Sequence, residues 1–250
     1  MAVHYIIMSS AYTEGVRIAL AFPTDTFLDT QEIKKTIDYI YQQCGEDVAI
    51  SSHLIQTKSL AWESVAEYDP FFEGVVLMNS SAAFCALVNK SRVLSGLDVA
   101  KYILSKVHCT HLSLEMLVYL SYADYLCDTS ERLFEDLIYA FKCGPVVSSV
   151  YSTCSEDGSR HIGSLCESDH NIDATIDEMA ISSRILFARN GTKKLTSIDR
   201  TIEKYGKCSA SELVELTHRD GAPWSYVDSS KKYQRITDDL IAKYHCVECR

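Results

Sequence analysis

Apolar and polar positions alternate from Val3 to Met8 and again from Val16 to Phe22, with a polar stretch containing Gly15 between them. Successive side chains of a strand point to opposite faces, so a period of two predicts an antiparallel hairpin. Between Thr30 and Cys44 the period changes. Ile33, Ile37, Ile40 and Tyr41 recur at helical spacing, Asp29 or Thr30 is placed to cap the first turn, and Gly45 is placed to stop the last. Val48 to Ile55 and Gly74 to Met78 are strand-like again, and Asp69-Pro70 punctuates the chain before the second of them. Residues 1–93 are therefore expected to form a small mixed α+β domain of about four strands and one or two helices.

From Leu97 onward the period is about 3.6. Ala100, Ile103, Leu104 and Val107 make one helical stripe, and Met116, Leu120, Ala123 and Cys127 a second. Glu131 to Cys143 is expected as a third helix with Leu133, Leu137 and Ala140 on one side, ended by Gly144 at a left-handed cap and by Pro145. Asp173 to Asn190, with Ile176, Met179, Leu186 and Phe187, predicts a fourth, closed by Gly191. The polar stretch Ser152 to Asn171 between these two is expected as a loop with room for a short hairpin around Gly158. Thr196 to Tyr205, Ser209 to Thr217 and Thr237 to Tyr244 complete the helices, and Ser209 with Glu212 has capping-box spacing. The fold class that follows is α+β, with the N-terminal domain joined near Val93 to Gly96 to a mostly α-helical domain over residues 96–250.

Composition changes this picture only by exclusion. Nearly half of the 250 residues are apolar, enough to bury two cores. No apolar run approaches the ~20 residues of a membrane helix, and the first residues do not resemble an export signal, so a cytoplasmic protein without a membrane partner is expected. The 10 cysteines are scattered without paired spacing and are expected as reduced, small core residues. The net charge of -10 is shared: residues 1–95 carry 6 basic and 11 acidic groups, leaving 18 and 23 for residues 96–250. Neither part has the cationic stripe that releases counterions from phosphates, so nucleic acid is not an expected partner. Complementary charge on a protein partner is compatible with this balance.

The run Leu133-Phe134-Glu135-Asp136-Leu137-Ile138-Tyr139-Ala140-Phe141-Lys142-Cys143-Gly144-Pro145-Val146-Val147, followed by Val150-Tyr151, resembles the central signature of the Panacea domain family. That family includes SocA-type antitoxins and GepA-type phage-associated proteins. Leu117-Val118-Tyr119-Leu120-Ser121-Tyr122-Ala123 is similar to its upstream helix, and Leu216-Thr217-His218-Arg219-Asp220-Gly221-Ala222-Pro223-Trp224 to its Thr-His and Pro-Trp segment. Ile236 to Tyr244 is similar to its closing helix, so the resemblance covers about residues 96–250 and leaves residues 1–93 outside. Cys143 departs from the family pattern, which more often has an aromatic or other residue before Gly-Pro. The resemblance implies a helical antitoxin module that neutralises a cognate protein toxin by binding it. In some relatives it implies an adaptor that delivers a toxin to a cytoplasmic protease.

Apart from any family, Gly144 and Pro145 would turn the chain, and Pro223 would fix the backbone before Trp224. Tyr122, Tyr125, Tyr139, Tyr151 and Trp224 are the candidate partner-binding residues, because rigid aromatic anchors carry most of the energy of protein interfaces. Their alternative is the boundary of the core. Asp136 and His218 are candidates for a buried polar pair that fixes an angle between elements, or for catalysis.

Cys246-Val247-Glu248-Cys249 with His245 before it has the spacing of half a zinc knuckle, but no second close pair accompanies it. Cys154, His161, Cys166 and His170 form only a loose group. Phosphate loops, a Gly-x-Ser-x-Gly elbow and a His-Glu-x-x-His helix are missing, so neither a catalytic role nor a cofactor or metal is expected. A metal-dependent hydrolase is the less favoured alternative, alongside a mobile-element protein binding a host factor.

Overall fold

The computed structural model describes residues 1–156, 178–228, 231 and 233–249, and shows an α+β fold, as the sequence pattern predicts. The chain divides into two compact units. One holds Met1–Val93 with Phe187–Arg189, and the other holds Leu94–Leu186 with Asn190–Arg250.

In the first unit, β1 (Ala2–Ala11) and β2 (Val16–Thr24) form the expected hairpin, with Ile7 opposite Leu20 and Met8 opposite Ala19. The strands β3 (Ser51–Thr57) and β4 (Val76–Leu77) complete a sheet of order β3-β1-β2-β4. Both faces of β1 are covered, which explains its unbroken apolar run Ile6-Ile7-Met8. Ile7, Ile18 and Leu20 pack with Ile40 of α1 (Thr30–Cys44) and with Phe84 and Val88 of α3 (Ser81–Ser91). On the other face, Ile6, Met8 and Ala19 meet Val65 of α2 (Glu63–Tyr68), Phe72 and Val75. The Asp29 carboxylate accepts from the Gln31 and Glu32 amides at 3.0 Å each, so it caps α1 as its position in the sequence suggests.

The second unit is organised around α5 (His111–Thr129), whose residues are buried on nearly every side. Such a helix has no polar face to read from periodicity. Packed against it are α4 (Gly96–Lys106), α8 (Gly191–Tyr205), α9 (Ala210–Thr217), α10 (Asp238–Tyr244) and the strand β6 (Gly144–Val147). A capping box of Ser95 and Asp98 starts α4, and the expected box of Ser209 and Glu212 starts α9.

Four expectations are corrected. Residues 131–143 are not a helix: they contain the strand β5 (Ile138–Phe141), which pairs with β6 as a hairpin. Gly144 is accordingly no helix cap but the first residue of β6, at φ +130. Gly191 does not close the preceding helix, α7 (Glu178–Phe187); it opens α8, after Asn190 in the left-handed conformation. Part of the expected polar loop is helical, since α6 runs over Ser148–Glu156. The expected hairpin around Gly158, the start of the fourth helix at Asp173 and the loose group from Cys154 to His170 lie outside what the structure describes.

Candidate functional site

In β5 the side chains alternate, with Ile138 and Ala140 buried and Tyr139 and Phe141 half-buried. This turns Ile138 and Ala140 inward and the two aromatic rings outward. The sheet has order β6-β5-β7, where β7 (Gln234–Arg235) comes from much later in the chain and sets Arg235 opposite Tyr139. Pro145 lies on β6, at the edge of this sheet, where its missing amide leaves no central ladder bond unmade.

The outward rings gather further aromatic residues. Phe141 meets Tyr151 of α6 with ring centroids 5.0 Å apart and Tyr233 at 6.0 Å, and Tyr139 meets Tyr233 at 5.7 Å, all edge to face. Tyr233 is 63% exposed. Trp224 joins them through its indole N–H, which donates to the Phe141 carbonyl at 2.8 Å. Pro223, buried at the start of a short 3-10 turn, fixes the approach of that indole. The His218 imidazole lies tilted at 43° to Trp224 with ring centroids 3.8 Å apart, and its Nδ1 donates to the Val214 carbonyl at 2.8 Å. Lys142 and Arg235 flank the aromatic face and are exposed.

Two features hold the hairpin in place. Gly144 holds a φ of +130, which side-chain-bearing residues rarely adopt, and a Cβ there would lie 2.7 Å from Met116 Cε and 2.8 Å from Met116 Sδ, so glycine suits the approach of β6 to α5. The buried Glu115 carboxylate accepts from the Val147 amide at 2.9 Å, with His111 3.3 Å away. Burial pushes the Glu115 carboxyl up, against the lowering effects of His111 and the Val147 amide.

Of the sequence-predicted partner-binding residues, Tyr139, Tyr151 and Trp224 come together on this face. Tyr122 and Tyr125 do not. They are 2% and 1% exposed on α5 and are covered within the chain itself. The Tyr122 hydroxyl donates to Asp238 at 2.8 Å and the Tyr125 hydroxyl to Glu131 at 3.3 Å. Burial first, and then the neighbouring Glu131 carboxylate, push the Tyr125 phenol up to about 12. Asp136 and His218 are not a pair. The Asp136 carboxylate accepts from the Gly96 amide at 2.8 Å and the Ser149 amide at 3.2 Å, so it satisfies the N-terminal ends of two helices. Phe141 and Tyr233 escaped the sequence reading: Phe141 belongs to the stretch read as helix, and Tyr233 reaches the face only through the pairing of β7.

Comparison with known proteins bears on the same region. Residues 116–225, from α5 to the Pro223–Trp224 turn, match a family model described as Antitoxin SocA-like, Panacea domain. A curated relative, Antitoxin SocA of Caulobacter vibrioides (strain NA1000 / CB15N), is 26% identical over 139 residues, which cover 55% of this chain and 69% of that protein. No solved structure matches. Among the described residues no helix is long and apolar enough to cross a membrane. The resemblance read from the motifs holds for residues 116–225: this part of the chain is similar to the Panacea domain of SocA-like antitoxins, and the similarity supports an antitoxin-like role.

Proposed function

We propose that this protein neutralises a cognate protein toxin by direct contact, and that the aromatic face on the β5–β6 hairpin is the surface that covers the toxin. The observation that carries this reading is the convergence of Tyr139, Phe141, Tyr151, Trp224 and Tyr233 from separate parts of the chain onto one half-exposed patch. Aromatic rings held by one another lose little side-chain freedom on binding, which is why such residues act as interface anchors. The rim residues Lys142 and Arg235 favour a toxin whose contacted surface is acidic. A protein inhibitor of this kind buries on the order of 1,600 Å² in total.

In this reading residues 96–250 are the antitoxin domain and residues 1–93 are an α+β domain that assists partner selection, both acting in the cytoplasm. The mechanism is occlusion rather than chemistry, so the protein is not an enzyme. Co-expression with the toxin encoded beside it tests the reading. Growth should be rescued by the native chain and lost with a triple variant Tyr151→Ala, Trp224→Ala, Tyr233→Ala that keeps its helical circular dichroism. Full rescue by that variant rejects the surface. Rescue that disappears in cells lacking a cytoplasmic protease assigns the protein to delivery instead of occlusion.

A further inference from the structure

Further along α5, beyond the residues that meet the hairpin, Asp124 faces the 3-10 turn His245–Val247 that follows α10. His245 Nε2 is 2.8 Å from Asp124 Oδ1 and 3.4 Å from Cys249 Sγ, and Cys249 Sγ is 4.0 Å from Asp124 Oδ1. A tetrahedral zinc ion, with bonds of about 2.0 Å to nitrogen and oxygen and about 2.3 Å to sulfur, spaces its ligand atoms roughly 3.3–3.6 Å apart. Side-chain movements of about half an ångström therefore suffice to receive one.

The surroundings fit an ion as well as the distances do. His245 Nδ1 is 2.6 Å from Glu248 Oε2. A carboxylate only accepts, so Nδ1 carries the proton, and the tautomer that remains on loss of a second proton presents its Nε2 lone pair to Asp124 and Cys249. Glu248 is itself fully buried and receives the Tyr119 hydroxyl at 3.1 Å. The buried Tyr205 hydroxyl lies beside the Cys249 thiol and lines the same group. A cleft of about 320 Å³, lined in part by Tyr205, Cys208, Glu248 and Cys249, reaches the group at Cys249.

Zinc takes the place of the protons that its nitrogen and sulfur ligands would otherwise carry. A nitrogen, an oxygen and a sulfur donor together suit zinc and not calcium or magnesium, which take oxygen ligands.

We propose that Asp124, His245 and Cys249 bind zinc, with Glu248 orienting His245 and water at the fourth position, so that the ion fastens the turn after α10 onto α5. His245 and Cys249 lie outside residues 116–225, so the proposal does not follow from the family match.

The test uses the full chain, stripped by a chelator and then titrated with Zn²⁺ and, separately, Co²⁺. One zinc should bind per chain by calorimetry and elemental analysis. The cobalt form should show tetrahedral d–d bands and a thiolate-to-cobalt charge-transfer band. Cys249→Ser should abolish that band, and Glu248→Gln should weaken zinc by about 10–100-fold at unchanged stoichiometry. Cys246→Ser, at an exposed thiol outside the ligand set, should alter neither. Circular dichroism separates a lost site from an unfolded chain. Zinc should raise the Tm of the native protein and not that of Cys249→Ser. Zinc binding no tighter in the native chain than in Cys249→Ser overturns the proposal, and so does a charge-transfer band that survives Cys249→Ser or vanishes in Cys246→Ser.

Discussion

The second unit uses tyrosine in two different settings. On α5, Tyr119, Tyr122 and Tyr125 are almost wholly buried, and each hydroxyl donates to a carboxylate, of Glu248, Asp238 and Glu131 respectively. Around the hairpin, Tyr139, Tyr151 and Tyr233 touch other rings and keep part of their surface in solvent. The difference shows what decides the role of a tyrosine. A buried phenol requires an acceptor, and a carboxylate that supplies one fixes which segment lies beside the helix. A half-exposed ring has no such obligation, so its surface remains free to be covered by another molecule.

This contrast can be broken most severely from the inside. Tyr122→Ala removes a buried ring packed on Phe134 at 4.7 Å and leaves Asp238 without its phenol. It should cost about 3–5 kcal/mol of stability in a denaturant titration. On the outside, Tyr151→Ala should leave unfolding within about 1 kcal/mol of the native value while weakening toxin binding by about 2–4 kcal/mol, read by calorimetry. An equal loss of stability from both substitutions would erase the distinction.

Tyr119→Phe sharpens the comparison, since it keeps the ring and deletes only the hydroxyl that reaches Glu248. A stability loss of about 1–3 kcal/mol is expected, as for a buried group left without its partner. The corresponding Tyr233→Phe, at an exposed position, should be neutral in the same titration. The smallest effect concerns the rim. Arg235→Glu should slow association with an acidic toxin several-fold at low salt and much less at high salt, with little change in dissociation, as stopped-flow mixing would report.

What the sequence disclosed follows the range of the interactions involved. The helix from Thr30 to Cys44 was legible because its stripe, its Asp29 cap and its Gly45 stop are all local. The hairpin was not. Leu133, Leu137 and Ala140 mimic a helical stripe, while the alternation of Ile138, Tyr139, Ala140 and Phe141 is only four residues long. The decision falls to contacts the local pattern does not contain, namely Met116 against Gly144, Glu115 on the Val147 amide, and β7 alongside β5. The aromatic face was legible in part, through Tyr139, Tyr151 and Trp224, whereas Tyr122 and Tyr125 belong to a helix buried all round, where no polar side betrays which residues face inward. His245 and Cys249 were legible as half a zinc knuckle, whereas Asp124, 121 residues before His245, leaves no mark in that local pattern.

The contact between Met116 and Gly144 also bears on oxidative damage. The methionine is fully buried, and its thioether lies within 2.8 Å of where a Cβ on residue 144 would stand. A sulfoxide oxygen on Met116 would be polar as well as too large for that space, so β6 would be forced away from α5 and the aromatic surface would lose its support. Burial of the sulfur thus shields the packing behind the aromatic face from peroxide.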